Sequence, residues 1–585
     1  MSDPLDPVLV PRPRQLRLGR RLVAVGEPRL STDAGLPSEG YRLRVSEGET
    51  TIAASGPAGV SRARATLAQL TRQGQAPEAE VEDWPATAVR GFMLDISRDR
   101  VPTMDSLRAL VDLLAGLKFN HLELYTEHTY AYPGHQEVWA QASPMTADEV
   151  AELEAYCAER HIELTPNQNC LGHMERWLVH PRYRPLAVAP AGWTDGRGRL
   201  RHPTTIDPAN PGSLALARSL LAELLPRFAS RRVHVGLDEP FELPAGRMGE
   251  YGDYIGALRR APEVDGREML IWGDILGRHP ELVDRVPSQV TVCEWGYEAT
   301  HPLEARLERL NQAGLAHWVA PGTSSWNSIL GRVANAVGNC GLHASVGRAA
   351  GSQGLLLTDW GDNGHLQPPV VSTPAMVVTA EAAWSGTDPA GLDLAAALDA
   401  VVFPDHRPGL GAALLRLGDA YRAVKPQVEN NVSILLHFYS PQLRVGDGFT
   451  EGLDASQLDD LRATLDAGLA ALPPDAGLVG EELANAAAMV RLAADDAEAR
   501  LAGDGTLGPV PEPVRAGLAE RALALADEHR RLWLARSRPG GLVDSVARLE
   551  HLASCYRAGV GVGFVPPWRR PGEPGNDRAG QRQRQ

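Results

Sequence analysis

At 585 residues the chain is long enough to hold two or three hydrophobic cores. Its 73 acidic and 58 basic side chains leave a net charge of −15, which argues against nucleic acid and anionic membrane surfaces as main partners. No run reaches the roughly 18 apolar residues of a membrane span, the first residues lack the apolar core of a secretory signal, and five scattered cysteines (157, 170, 293, 340, 555) follow neither disulfide nor metal-ligand spacing, so a cytoplasmic location is expected.

Residues 1–86 read as a small α/β domain. Tyr41, Leu43 and Val45 alternate as one strand, 47–50 turns, and 51–54 returns. Gly59 opens a helix with Ala63, Leu67 and Leu70 on one face, and Trp84-Pro85 reads as a linker. From 87 to 386, apolar runs alternate with amphipathic stretches such as 104–117, 146–160 and 302–313. The runs are 90–96, 119–125, 161–166, 232–237, 268–273, 289–295, 316–321 and 353–358. Eight strands alternating with helices imply a (β/α)8 TIM barrel whose active site lies at the C-terminal strand ends. The stretch 171–231 is long for one crossover and is expected to cover part of that face. Residues 387–565 turn Ala- and Leu-rich, with Leu458, Leu461, Leu465 and Leu472 at helical spacing, and read as an α-helical domain. The basic tail 566–585, with Arg578, Arg582 and Arg584, is expected to be disordered.

Chemistry-bearing residues gather where these strands end. Strand one ends near Asp95, Arg98 and Asp99, and strand two in Tyr125-Thr126-Glu127-His128. Strand three leads into 166–173, which carries Asn169 and His173, and strand four delivers Asp238-Glu239. Strands five to eight add Trp272-Gly273-Asp274, Trp295-Gly296-Tyr297, Trp326-Asn327 and Trp360-Gly361-Asp362. Adjacent carboxylates repel and resist desolvation, so a buried pair points to one acid that keeps its proton beside another that stays charged. Four tryptophans at strand ends, in a chain only 5% aromatic, suit the apolar faces of a pyranose. Lys118 and Lys425 are the only lysines, which disfavours Schiff-base chemistry. No Gly-rich phosphate loop is present, and no cofactor or metal is expected.

The combination resembles glycoside hydrolase family 20, the β-N-acetylhexosaminidases, in what looks like a divergent branch. Arg90 to Arg98 is similar to the family's first-strand motif, and the resemblance gives Arg90 the role of binding sugar hydroxyls. His234 to Glu239 matches a His-x-Gly-Gly-Asp-Glu signature with Leu237 in place of a glycine. Pro166 to His173 is similar to Pro-Glu-x-Asp-x-Pro-Gly-His, and Trp360-Gly361-Asp362 to a closing Trp-x-Glu whose acid binds the far hydroxyls. The resemblance spans about 1–386. It implies exo-acting hydrolysis of β-linked N-acetylhexosamine on a small oligosaccharide or glycoconjugate, in which the substrate's own acetamido oxygen attacks. Asp238 would orient that group and Glu239 would act as general acid and base. Trp272, Trp295, Tyr297, Trp326, Asn327 and Trp360 are expected to bind the sugar.

The sequence departs from the family pattern at several places. Asn169 stands for an aspartate, Asn167 for a glutamate, and Glu127 with His173 is expected to rebuild a carboxylate–histidine relay to the acid. No tyrosine follows strand seven, which leaves Tyr297, Tyr125 or Asn327 to hold the acetamido oxygen. Two other readings stay open here: a sugar-binding protein without turnover, and a metal-dependent hydrolase built on Glu127, His128, His173, Asp238 and His365.

Overall fold

In the computed structural model, which describes residues 5–195, 198 and 200–569, the chain opens with a five-stranded sheet. Its strands are β1 (Gln15–Ala24), β2 (Arg29–Thr32), β3 (Tyr41–Ser46), β4 (Glu49–Ala54) and β5 (Gln75–Asp83), in the order β1-β5-β3-β4-β2. Period-two alternation puts Tyr41, Leu43, Val45 and Ile52 on one face. They pack against Ala63, Leu67 and Leu70 of the helix Pro57–Leu70.

Eight parallel strands then close into a barrel. They are β6 (Val89–Asp95), β7 (His121–Thr126), β8 (Glu163–Gln168), β11 (Arg232–His234), β12 (Glu268–Trp272), β13 (Val290–Trp295), β14 (His317–Ala320) and β15 (Gly354–Asp359). A hairpin of β9 (Trp193–Thr194) and β10 (Leu200–Arg201) lies in the long segment between β8 and β11, ahead of the crossover helix Pro211–Leu224. Apolar runs became strands rather than helices because each is only three to seven residues long with near-continuous burial, the pattern of a sheet covered on both faces. Strand four is shorter than its apolar run, ending at His234 rather than 237.

The predicted helices follow, and Leu458, Leu461 and Leu465 are fully buried on one face of Ala455–Ala470. This helical region docks on the loops at the C-terminal end of the barrel. Arg538 donates to the carbonyls of Pro102 and Pro144 and pairs with Glu149. Arg176 bridges Asp99 and Asp544 at 2.7 Å each. Ser545 Oγ donates to Gly364 O, Asn327 Nδ2 to Asn430 O, and Ala334 N to Asp419. The tail from residue 570 onward, with Arg578, Arg582 and Arg584, lies outside the described residues. Among the described residues no helix is long and apolar enough to cross a membrane.

At the opposite end of the barrel, Arg90, the second residue of β6, is buried against the N-terminal sheet. Its guanidinium donates to Lys118 O (2.9 Å), to the carbonyls of Thr87 and Ala88, and to Glu39 Oε2 (2.7 Å), and it faces the Trp384 ring at 4.9 Å. Lys118 is buried beside it, with Nζ 2.9 Å from both Asp83 Oδ2 and Tyr41 Oη. Arg90 therefore does not reach the barrel mouth: as the second residue of β6 it sits at the N-terminal end of the strand, away from the C-terminal end, and welds the sheet to the barrel. Removing one partner of such a buried pair leaves the other uncompensated, at a cost of about 3–5 kcal/mol. Arg90→Met is expected to lower unfolding stability by about 3 kcal/mol while the folded protein keeps its turnover. Normal melting with lost turnover would return Arg90 to the site.

Candidate active site

The site is built on an irregular exit from strand four. Past His234 the backbone turns through Gly236 (φ 72°), Leu237 (φ 74°) and Glu239 (φ 48°), which breaks the ladder early. The turn keeps barrel bonds, because Val235 N donates to Leu270 O and Trp272 N donates to Gly236 O. A left-handed leucine costs about 1–2 kcal/mol, and complete burial of the Leu237 side chain returns about 1.5–3 kcal/mol. That balance explains how leucine stands where the signature has glycine. Two other glycines are steric requirements: a Cβ on Gly172 would lie 2.2 Å from Asp238 O, and one on Gly236 would lie 2.7 Å from the Asn169 side chain. Their absence of side chains lets the strand-three loop press Asn169 and His173 against the acids.

Asp238 is buried and accepts a hydrogen bond from Asn169 Nδ2 at 2.8 Å, and its Oδ2 lies 3.2 Å from His173 Nε2. The same histidine nitrogen lies 3.4 Å from Glu239 Oε2, so His173 is wedged between the two acids. Burial works against ionising Asp238, but His173, Arg98 and the Asn169 bond outweigh it and hold the carboxyl below its ordinary range. Burial likewise opposes charge on His173, yet the Asp238 charge and contacts to both acids raise it well above an ordinary imidazole.

A third carboxyl completes the cluster. Asp274, following strand five, is buried, accepts from Glu239 N at 3.4 Å through Oδ2, and leaves Oδ1 without a hydrogen-bond partner. Burial, with Asp238 and Glu239 nearby, pushes it up to about 8, so it is neutral at pH 7. Asp274 has no role in the sequence reading because a lone aspartate at a strand end carries no signal of its neighbours.

The arginine at the mouth is Arg98, the residue that closes the first-strand motif. It lies between the rings of Tyr125 and Trp360 at 4.9 and 4.8 Å, and 3.2 Å from Asp95, 3.5 Å from Glu127 and 3.5 Å from Asp362. Its Nη2 also meets His173 Nδ1 at 3.3 Å. The expected pairing of Glu127 with His173 is therefore indirect: no hydrogen bond joins them, and Arg98 stands between. Glu127 instead accepts from Tyr125 Oη at 3.0 Å, and that hydroxyl accepts from Asn169 at 3.1 Å.

Aromatic rings form the walls. Trp272 is fully buried, 4.2 Å from the His234 ring and 5.8 Å from Trp360, with its indole N–H unpartnered. Trp360 Nε1 donates to Tyr297 Oη at 2.8 Å, and Tyr297 stacks on Trp295 and meets Trp326 edge-on, both at 5.0 Å. Asp362 keeps about a third of its side chain exposed beside Arg98 (34%). Asn327 is the exception among the expected sugar contacts: its amide donates to Asn430 O and accepts from Asn363 Nδ2, which makes it a brace between loops. Among the described residues no group of three His, Cys, Asp or Glu side chains is arranged to hold a metal ion.

Comparison with known proteins gives a consistent pattern. A family model described as "Glycosyl hydrolase family 20, catalytic domain" matches residues 88–321, and one for domain 2 of the same family matches 10–84. A β-hexosaminidase of Akkermansia muciniphila is 31% identical over 241 residues, covering 37% of this chain and 47% of the relative. A β-N-acetylhexosaminidase of Cellulomonas fimi is 27% identical over 271 residues, covering 42% and 52%. The chain thus spans about half the length of the curated relatives it matches. Among solved structures, the family 20 β-N-acetylhexosaminidase of Streptomyces coelicolor aligns with a TM-score of 0.55 at 17% identity, over 68% of this chain and 97% of that one. The exo-β-N-acetylglucosaminidase of Vibrio harveyi aligns with a TM-score of 0.55 at 18% identity, over 70% and 78%.

Asp274 generates a pH test. The folded protein holds its proton to about pH 8, whereas the unfolded chain releases it near 3.8, so between these values the native state binds the extra proton and loses stability as pH rises. Relative to Asp274→Asn, the wild type is expected to lose about 1.4 kcal/mol per pH unit across that window, measured by denaturant unfolding at pH 5, 6 and 7. Parallel curves for the two proteins would mean that Asp274 is ionised throughout.

Proposed function

The chain belongs to glycosyl hydrolase family 20, and on that footing we propose that it removes terminal β-linked N-acetylhexosamine from small oligosaccharides or glycoconjugates. The anomeric configuration is retained, and no protein nucleophile is used. Most retaining glycosidases place two carboxyls about 5 Å apart and attack with one of them; here the acids are neighbours in sequence, and the nucleophile is the substrate's acetamido oxygen. Asp238 takes the amide N–H and steadies the positive charge that grows as the amide oxygen bonds to C1. Glu239 gives its proton to the leaving oxygen, then accepts one from the water that opens the oxazolinium ring.

The observation that carries this reading is the asymmetry around the two acids. Asp238 is enclosed and kept charged by Asn169 and His173, whereas Glu239 is the more open, with 27% of its side chain exposed against 8%. Trp295 and Trp360 enclose the acetamido group and the ring, with Trp272 buried behind Trp360, and Arg98 with Asp362 takes the far hydroxyls. Tyr297 is our assignment for the acetamido oxygen. Its hydroxyl accepts from Trp360 and keeps its own proton to give, while a Cβ at Gly322 on the strand-seven exit would lie 2.7 Å from its ring. Trp326 would lie closer still, at 2.4 Å, so Tyr297 and Trp326 together fill the space over Gly322. Tyr125 already donates to Glu127, and Asn327 is held by Asn363 and Asn430. A reducing, cytoplasmic setting suits five cysteines that are all buried and unpaired.

Aryl β-glycosides carrying 2-acetamido or 2-hydroxyl groups test the proposal. The acetamido substrate is expected to react faster by a factor on the order of 10² or more, and equal rates would exclude participation by the substrate. Asp238→Asn and Glu239→Gln should each lower kcat/KM on the order of 10². The Glu239 variant should lose least on nitrophenyl glycosides, whose leaving group needs little protonation.

A further inference from the structure

Directly after the two acids the chain places an aromatic ring in solvent. Phe241 is 48% exposed, and its backbone N–H donates to Glu239 O at 2.7 Å, which fixes it next to the general acid. Its ring lies 6.4 Å from His173 and is nearly parallel to Trp193, at an interplanar angle of 17° with 6.2 Å between centroids. At that separation the rings overlap only at their edges, so they form one continuous apolar shelf that is partly open. Phe241 is exposed and Trp193 half-buried, so the paired rings stay partly open to solvent.

The shelf is held rigidly. Trp193 lies on the β9–β10 hairpin, and its Nε1 donates to His202 O at 3.0 Å, which sets the plane of the indole. The buried carboxylate of Glu242 accepts from the backbone of Thr204 and Thr205, tying the segment after the hairpin to the loop that carries Phe241. Met174 N donates to Thr204 O, which brings the His173 loop into the same clamp.

Resting on the reading above, we infer that Trp193 and Phe241 form the binding platform for a second pyranose, the sugar that leaves. Glu239 protonates the leaving oxygen, so whatever that oxygen carries must lie on the Glu239 side of the mouth, where these rings are. An apolar shelf of two ring widths suits the C–H face of a β-linked hexosamine and has no charged side chain of its own to select an anionic partner. The preferred substrate class is therefore a β-linked oligosaccharide of at least two rings.

The test compares wild type, Trp193→Ala and Phe241→Ala on a β-1,4-linked N-acetylglucosamine disaccharide and on methyl β-N-acetylglucosaminide, which has no second ring. Loss of at least tenfold in kcat/KM on the disaccharide is expected, with less than twofold change on the methyl glycoside and partial rescue by Trp193→Phe. Equal losses on both substrates would mark the pair as support for His173 and overturn the proposal, as would an unchanged disaccharide rate. If wild type hydrolyses neither substrate, the reaction proposed above fails, and the platform is then read by binding. Tryptophan fluorescence titration should show at least tenfold preference for the disaccharide over N-acetylglucosamine, abolished in Phe241→Ala; absence of that preference in the wild type would overturn the platform as well.

Discussion

Two carboxylates on consecutive residues cannot both turn into one narrow mouth unless something between them absorbs their repulsion. In this protein that element is His173, whose Nε2 lies 3.2 Å from Asp238 and 3.4 Å from Glu239. The Asp238 charge raises the proton affinity of the imidazole wedged between the acids, and Arg98 behind it supplies a positive charge. The arrangement works only because the strand-three loop approaches strand four closely enough for Gly172 to touch the Asp238 carbonyl. A carboxylate at Asn169 would add another negative charge to Asp238, whereas the amide donates a hydrogen bond to it. The third acid, Asp274, is tolerated because burial keeps it protonated. The mouth thus separates three neighbouring carboxyls into an ionised one, an open one and a neutral one, which is the division of labour that proton transfer beside a charged stabiliser requires.

The mouth is also unusually well tied. Loops following strands one, two, three, seven and eight are each held by the helical region, through Arg538, Asp544, Asn430 and Ser545. Positioning groups on loops usually leaves them loose, and chemistry of this kind falls off steeply with small displacements. A second layer of helices behind the loops supplies the rigidity that short strand ends lack. In the same way the sheet at the other end fixes the barrel floor through Arg90 and Lys118, paired with Glu39 and Asp83.

The positions of the eight barrel strands were legible because parallel strands buried on both faces leave continuous apolar runs, and the intervening helices leave a 3.6-residue period. The acids, the strand-end tryptophans and Asp362 were legible because their chemistry is unusual in itself. Other features left no such trace. Arg90 and Arg98 belong to one motif, and the resemblance assigned the sugar to the first of them; the eight-residue step between them, along a seven-residue strand, carries one to the floor and the other to the mouth. Asp274, Trp193 and Phe241 were not singled out for roles because each acquires significance only from neighbours more than thirty residues away or, for Phe241, from exposure that a bulky apolar residue does not announce.

What the sequence determined by itself, then, was the architecture and the kind of chemistry, since hydrophobic period and residue type are local properties of the chain. What only the tertiary structure decided was which groups meet: His173 between the acids, Arg98 between His173 and Glu127, Tyr297 in the space above Gly322. Contacts of that kind depend on the closure of the barrel, which brings strand ends far apart in sequence within one hydrogen-bond length of each other, and on the left-handed turn after strand four that aims two adjacent side chains into the same few ångströms of space.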